Sequence, residues 1–166
     1  EGDVIKLDPR FAKDFSFSAL NTSSAWRPLA LLKARSIFND ETCFGEFDIL
    51  RLGATNNANN QTLTVGLFRL ATIVGSATAP VNFQYVDQTR SVVTYAALAP
   101  GASGNTISNI ASITPFFQFV VGGNDATGFD VEHLNLSFGV GDPVVIAVKT
   151  DGNITGNVSI NWFEQQ

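Results

Sequence analysis

The chain has no methionine, one cysteine and one histidine in 166 residues. A zinc centre takes three or four cysteine and histidine ligands, so Cys43 and His133 do not supply one. A lone cysteine closes no disulfide within the chain. Cys43, in Thr42-Cys43-Phe44, is either a buried apolar residue or a link to another subunit. Charge is scarce as well: Asp, Glu, Lys and Arg make up 15% of residues, against about 25% in an average soluble chain. The net charge of −5 has the wrong sign for binding a phosphate backbone, and no nucleic acid is expected as partner. Seven of the ten basic residues fall between Lys6 and Arg51, but Asp8, Asp14, Asp40 and Glu41 are interspersed there, so that region is mixed and not a basic arm. No apolar run approaches the roughly 20 residues of a membrane-spanning helix, and no membrane insertion is expected. The sequence starts at Glu1 without a leader, which reads as a processed or trimmed product.

What the chain does have is phenylalanine, 14 in all, within a hydrophobic content of 45%. That is enough for one domain with a core that needs neither metal nor disulfide. With so few charges, Asn, Gln, Ser and Thr must cover the exterior. Such surfaces suit secreted proteins and subunits that bury much of their outside in an assembly. Five Asn-x-Ser/Thr sequences occur, at Asn21, Asn60, Asn135, Asn153 and Asn157. They become glycan acceptors only if the chain crosses a membrane carrying that machinery. The expected location is outside the cell, on a cell surface, or on the surface of a virion or spore.

The pattern is that of sheet. Phe15-Ser16-Phe17-Ser18 alternates with period two, as do Val81 to Val86 and Leu134 to Phe138. Leu29 to Phe38 fits a helix opened by Pro28 or a strand; the sheet character of everything downstream favours the strand. Thr62 to Val74 reads as another strand, or as a long bent one with Gly66 as a kink or bulge. Val144 to Val148 and Val158 to Trp162 are joined by Asp151-Gly152-Asn153, a turn sequence. The spacing gives about eight to ten strands with no clear helix, hence an antiparallel β-sandwich of jelly-roll type. The expected organisation is an extended segment over residues 1–28 and a single sandwich over 29–166. The leading segment, anchored by Val4, Ile5, Leu7, Phe15 and Phe17, is read either as a strand donated to another subunit or as the first strand of its own domain.

Chemistry is sparse. His133 sits where the apolar parity switches, from Phe129 and Val131 to Leu134, Leu136 and Phe138, which predicts a β-bulge at Glu132-His133. No Gly-x-Ser-x-Gly elbow accompanies it, and no catalytic residue is assigned. Asp151 to Gly156 matches the first half of a calcium-binding loop, but the twelfth position is Trp162 where a bidentate Glu is needed. Asp151 and Asn153, with Asn124, Asp125 and Asp130 near Gly122-Gly123, are the weak calcium candidates; no cofactor is expected. Glu46 and Asp48 share a strand face, as paired glycosidase acids would, or as a solvated sheet face does. Trp26, Tyr85, Tyr95 and Trp162 are candidates for a sugar-stacking platform.

The run Leu134-Asn135-Leu136-Ser137-Phe138-Gly139-Val140-Gly141-Asp142-Pro143-Val144-Val145-Ile146-Ala147-Val148, with the closing Val158 to Glu164, resembles the end of tumour-necrosis-factor/C1q-like jelly rolls. Bacterial spore-surface and filament subunits end in a similar way. The resemblance implies a self-associating sandwich, often trimeric, with no catalytic residues. The expected function is a non-enzymatic structural subunit whose partners are copies of itself, forming a filament, appendage or shell, with Phe15, Phe17 and Cys43 among its inter-subunit candidates. The rival is a lectin-like module that binds carbohydrate.

Overall fold

The computed structural model describes residues 9–165. Among these, nine strands reach five residues or more: β1 (Arg10–Leu20), β2 (Arg27–Ala34), β3 (Glu46–Asn56), β4 (Leu63–Phe68), β5 (Val93–Ala97), β6 (Phe117–Val121), β7 (Asp125–Asp130), β8 (Val144–Thr150) and β9 (Ile154–Gln165). The helical turns among the described residues are two short 3₁₀ segments, Ile110–Ser112 and Glu132–Leu134. No helix of the described residues is long and apolar enough to cross a membrane.

The strands form two antiparallel sheets. Sheet one runs β1-β9-β3-β7, with the two-residue strand Ser137–Phe138 also paired to β3. Sheet two runs β6-β4-β8-β2-β5, with Gln84–Tyr85 outermost on β5. With β5 set aside, the chain passes β1, β2, β3 and β4 alternately between the sheets. It then returns through β6 and β7, which add at the outer edges beside β4 and β3, and through β8 and β9, which fill the places between β4 and β2 and between β1 and β3. That double Greek key is the jelly roll. Residues 69–116, between β4 and β6, are an addition to it. They place β5 and Gln84–Tyr85 on the β2 edge and form a small pair, Ile73–Val74 with Thr106–Ile107.

The addition explains why the two sheets look different in sequence. Sheet one is covered on one side only, so β9 alternates strictly: Ile154, Gly156, Val158, Ile160, Trp162 and Glu164 point inward and are buried. Sheet two is covered on both sides. The main core fills the inner side, and a second cluster of Leu31, Phe68, Ala96, Leu98, Ile107, Val145 and Ala147 lies under the added segment. A strand buried on both faces reads as an unbroken apolar run, and Val144 to Ala147 is one. Trp162, Phe47, Phe138, Ile49, Leu52 and Ile160 are among the large fully buried side chains of the inner core, each stabilising the fold by about 1.5–3 kcal/mol.

Several expectations are corrected. Residues 10–20 are not an arm: β1 pairs with β9 from Arg10↔Phe163 to Leu20↔Ile154, and Phe15 and Phe17 are buried in the chain's own core. The ordinary-first-strand reading holds for them, and the boundary expected at residue 28 falls within the sandwich. Val4, Ile5 and Leu7 lie outside the described residues. Gly66 is neither kink nor bulge. It sits in regular register between Gln118 and Ala147, and an added Cβ would lie 2.8 Å from Cη2 of Trp26. The glycine makes room for that ring, which packs edge-on to Phe68 with centroids 5.2 Å apart. The strand stops at Phe68, and Ile73–Val74 pairs elsewhere. The parity switch at Glu132 comes from the 3₁₀ turn Glu132–Leu134, closed by Asn135 in the left-handed region at φ 52°. Of Val81 to Val86, only Gln84–Tyr85 joins a ladder.

Candidate assembly surfaces

A two-sheet sandwich leaves four strand edges with unpaired backbone groups. Here they meet two by two. At one flank β1 lies beside the added edge: Phe15 packs on Tyr95 at 5.9 Å, and Nζ of Lys13 stands 4.5 Å from the Tyr95 ring centre. At the opposite flank β6 meets β7, where Phe117, Phe119 and Phe129 form an aromatic cluster with centroid separations of 5.0–6.1 Å. Phe129 is 39% exposed, and Val120, next to Phe119 on β6 but on the opposite face of that strand, is 59% exposed.

The first flank carries a groove of about 480 Å³. Its apolar wall is Ile37, Phe83, Tyr85 and Val140, all between 41% and 62% exposed. Its floor carries two cations. Nζ of Lys33 stands 3.9 Å above the Phe83 ring centre, and the Arg35 guanidinium lies 4.7 Å from the centres of both Tyr85 and Phe38. Cations on ring faces are held by the negative quadrupole of the ring. Nη2 of Arg35 also donates to the carbonyls of Asp87, Gln88 and Ser91, tying the loop that leads into β5 to the end of β2.

That loop is organised by Asp87. Its carboxylate accepts from Nε of Arg90 at 2.9 Å, and from the backbone N–H groups of Thr89 and Arg90 and the Thr89 hydroxyl at 3.0–3.1 Å. The Arg90 bond, with the Thr89 and Arg90 backbone donors behind it, holds the Asp87 carboxyl below its ordinary 3.8. A carboxylate with a depressed folded value adds stability that is complete above the unfolded value. That contribution is lost as pH falls through the lowered one. A carboxyl-detected NMR titration should therefore find Asp87 titrating below 3.8, and Arg90→Ala should return it towards that value; an Asp87 that titrates normally contradicts the loop geometry.

Beneath the same flank lies Glu164, 2% exposed. It accepts from the Ser91 hydroxyl, from the Val92 N–H at 2.9 Å and from Nε1 of Trp162 at 3.0 Å. Its own N–H donates to the Pro9 carbonyl at 2.9 Å. One side chain thus joins the last strand of sheet one to the start of β5 in sheet two. The sequence reading passed over it, although its signal was present: Glu164 shares inward parity with Val158, Ile160 and Trp162.

The remaining candidates fall apart from one another. Asp125 and Asp130 stand at opposite ends of β7, Asn124 is in the turn before it, and Asp151 accepts from the Thr62 N–H at 2.8 Å. Among the described residues no three His, Cys, Asp or Glu side chains gather as a metal site would require. Glu46 and Asp48 face outward on sheet one, accepting from Ser137 and Gln165 respectively. His133 is exposed on its 3₁₀ turn. Cys43 is half-buried against the core, and the Gly45 N–H donates to its sulfur at 3.3 Å. Asn21, Asn60, Asn135 and Asn153 are exposed; Asn157 is half-buried in β9 and accepts from the Thr55 hydroxyl at 2.7 Å. The aromatic platform does not form: Trp162 and Tyr95 are core, Trp26 is half-buried over Gly66, and the exposed Tyr85 carries Arg35 on its ring.

No family model matches the chain, and no curated protein matches it. Among solved structures, the chain is similar to the VP1 pentamer of Human Polyomavirus 6, with 7% identity, 99% of this chain and 97% of that chain covered, and a TM-score of 0.40. It is similar to a structure of Tomato Aspermy Virus at 10% identity, covering 98% of this chain and 81% of that one, with a TM-score of 0.35. A structure of Mud Crab Dicistrovirus gives 9% identity, 95% and 68% coverage, and a TM-score of 0.31. At this level of similarity the neighbours assign no role to any residue of the chain.

Proposed function

We propose that the chain is a non-enzymatic structural subunit that assembles with copies of itself into a shell or filament at a particle or cell surface. The observation that carries this reading is the pair of apolar edges on opposite flanks. One presents Ile37, Phe83, Tyr85 and Val140, the other Val120 and Phe129. Two different sticky surfaces on opposite sides of one molecule favour head-to-tail contacts, which close into rings or shells or propagate as filaments. Open strand edges beside exposed apolar side chains are the feature that single globular proteins blunt with charge, proline or covering loops. The mechanism is packing of sheet edges between subunits, with strand donation by the leading residues as its finer form.

The test is sedimentation velocity over a concentration series, with electron microscopy of the heaviest fraction. Assembly is expected, and Val120→Lys or Phe129→Lys should reduce it while far-ultraviolet circular dichroism stays that of sheet. A chain that sediments as a monomer at every concentration refutes the proposal.

A further inference from the structure

The segment Val81 to Val86 has the alternation of a full strand, yet only Gln84 and Tyr85 pair, and only on the side of β5. Residues 81–86 are exposed or half-buried throughout. Their outer edge is an unfilled half of a ladder, bordered by the groove of Phe83, Tyr85, Ile37 and Val140. The groove is positive: Lys33 and Arg35 line it and no carboxylate does, in a chain whose net charge is −5. Pairing with the same edge of a second copy would bring Lys33 and Arg35 against their own counterparts. An occupant must instead be extended, apolar and acidic.

We infer that this edge accepts residues 1–8 of a second copy of the chain as an added strand. The inference rests on the self-association reading above and names its acceptor. The segment Glu1-Gly2-Asp3-Val4-Ile5-Lys6-Leu7-Asp8 combines three acids and one lysine with three aliphatic side chains. Fully extended, eight residues reach about 26 Å, longer than the ladder that six paired residues make. Backbone N–H and C=O groups of residues 81–86 supply the ladder. On the strand face formed by odd positions, Ile5 and Leu7 meet the apolar wall, and Glu1 and Asp3 meet Lys33 and Arg35, the latter already fixed in place by its hydrogen bonds and ring contacts. This is strand addition at an open edge, with main-chain bonds giving affinity and charge giving the choice of partner.

The experiment uses the full chain with a photo-crosslinking side chain at position 5, mixed in equal parts from isotopically light and heavy preparations. Mass spectrometry of the irradiated assembly should show links from position 5 to residues 81–86 or to the Lys33–Ile37 stretch, in light–heavy pairs. Alongside it, Lys33→Glu should weaken self-association about tenfold, and Asp3→Lys in the same chain should restore part of the loss. Links found only within one copy overturn the inference, because the segment then folds onto its own groove. So do links to other surfaces, or unchanged association in Lys33→Glu, in an assembly that still forms; these leave the self-association reading standing. A chain that never associates overturns both.

Discussion

Replacing Glu164 with alanine should lower the stability of the fold by about 3–4 kcal/mol. The carboxylate is buried, and its loss strands the Ser91 hydroxyl, the Val92 N–H and the Trp162 indole N–H together. A buried donor left without an acceptor costs about 1–3 kcal/mol. The Ser91 hydroxyl can rotate towards another acceptor, which sets the sum below three full penalties. Glu164→Gln should cost less than alanine, because one oxygen remains to accept while the new NH₂ faces a donor. Ser91→Ala removes one donor to Glu164 but also the acceptor of the buried Val93 N–H at 3.1 Å, and should cost about 1–3 kcal/mol. Urea denaturation followed by tryptophan fluorescence reads all three, since Trp162 reports on the site itself. A Glu164→Ala chain within about 0.5 kcal/mol of the parent, the range of ordinary surface changes, would mean that the clasp between the sheets carries nothing.

Gly156→Ala is the second large effect, although it adds a single methyl group. Gly156 lies in β9 between Asn56 of β3 and Phe17 of β1. A Cβ there would collide with the Thr55 carbonyl oxygen and sit 3.5 Å from the Phe17 ring. The obstacle is backbone of a central paired strand, so a change of rotamer does not relieve it. Either β3 moves away and loosens its ladder with β9, or β9 does. Forcing an extra group into a packed interior costs about 1–3 kcal/mol, and a rigid neighbour places this case at the upper end. The change should appear as a fall in the urea midpoint at unchanged m value, and as faster amide exchange in β3 and β9. Exchange rates left untouched in those strands would contradict the close approach.

Much of the architecture was legible because sheet one is covered on one side. Strict alternation in β9 and the Phe15–Phe17 pattern of β1 identify strands, and the jelly-roll class follows from the number and spacing of such runs. What period two does not encode is the partner. Phe15 and Phe17 look the same whether they are buried at home or in a neighbour, and only the ladder with β9 decides. The Glu132 parity switch has two physical causes, a bulge or a helical turn, and alternation cannot distinguish them. Gly66 was misread because the reason for a glycine was a ring forty residues upstream, Trp26, whose approach is a tertiary fact. The exposed apolar groove was not legible. Ile37, Phe83, Tyr85 and Val140 are scattered over a hundred positions, and the addition at residues 69–116 brings Phe83 and Tyr85 to the others.

The neighbour relation of β1 and β9 also bears on how the molecule is made. Among the described strands β1 leaves the ribosome first, while β9, which fills the place between β1 and β3, is synthesised last. Until then the nascent chain holds Phe15 and Phe17 without a ladder to shelter them, and β3 lacks its central neighbour. Sheet one is therefore completed after translation has passed Gln165, in a single late closure. A polypeptide arrested before Ile154 exposes two unsatisfied edges to its surroundings, the condition under which nascent β chains depend on chaperones.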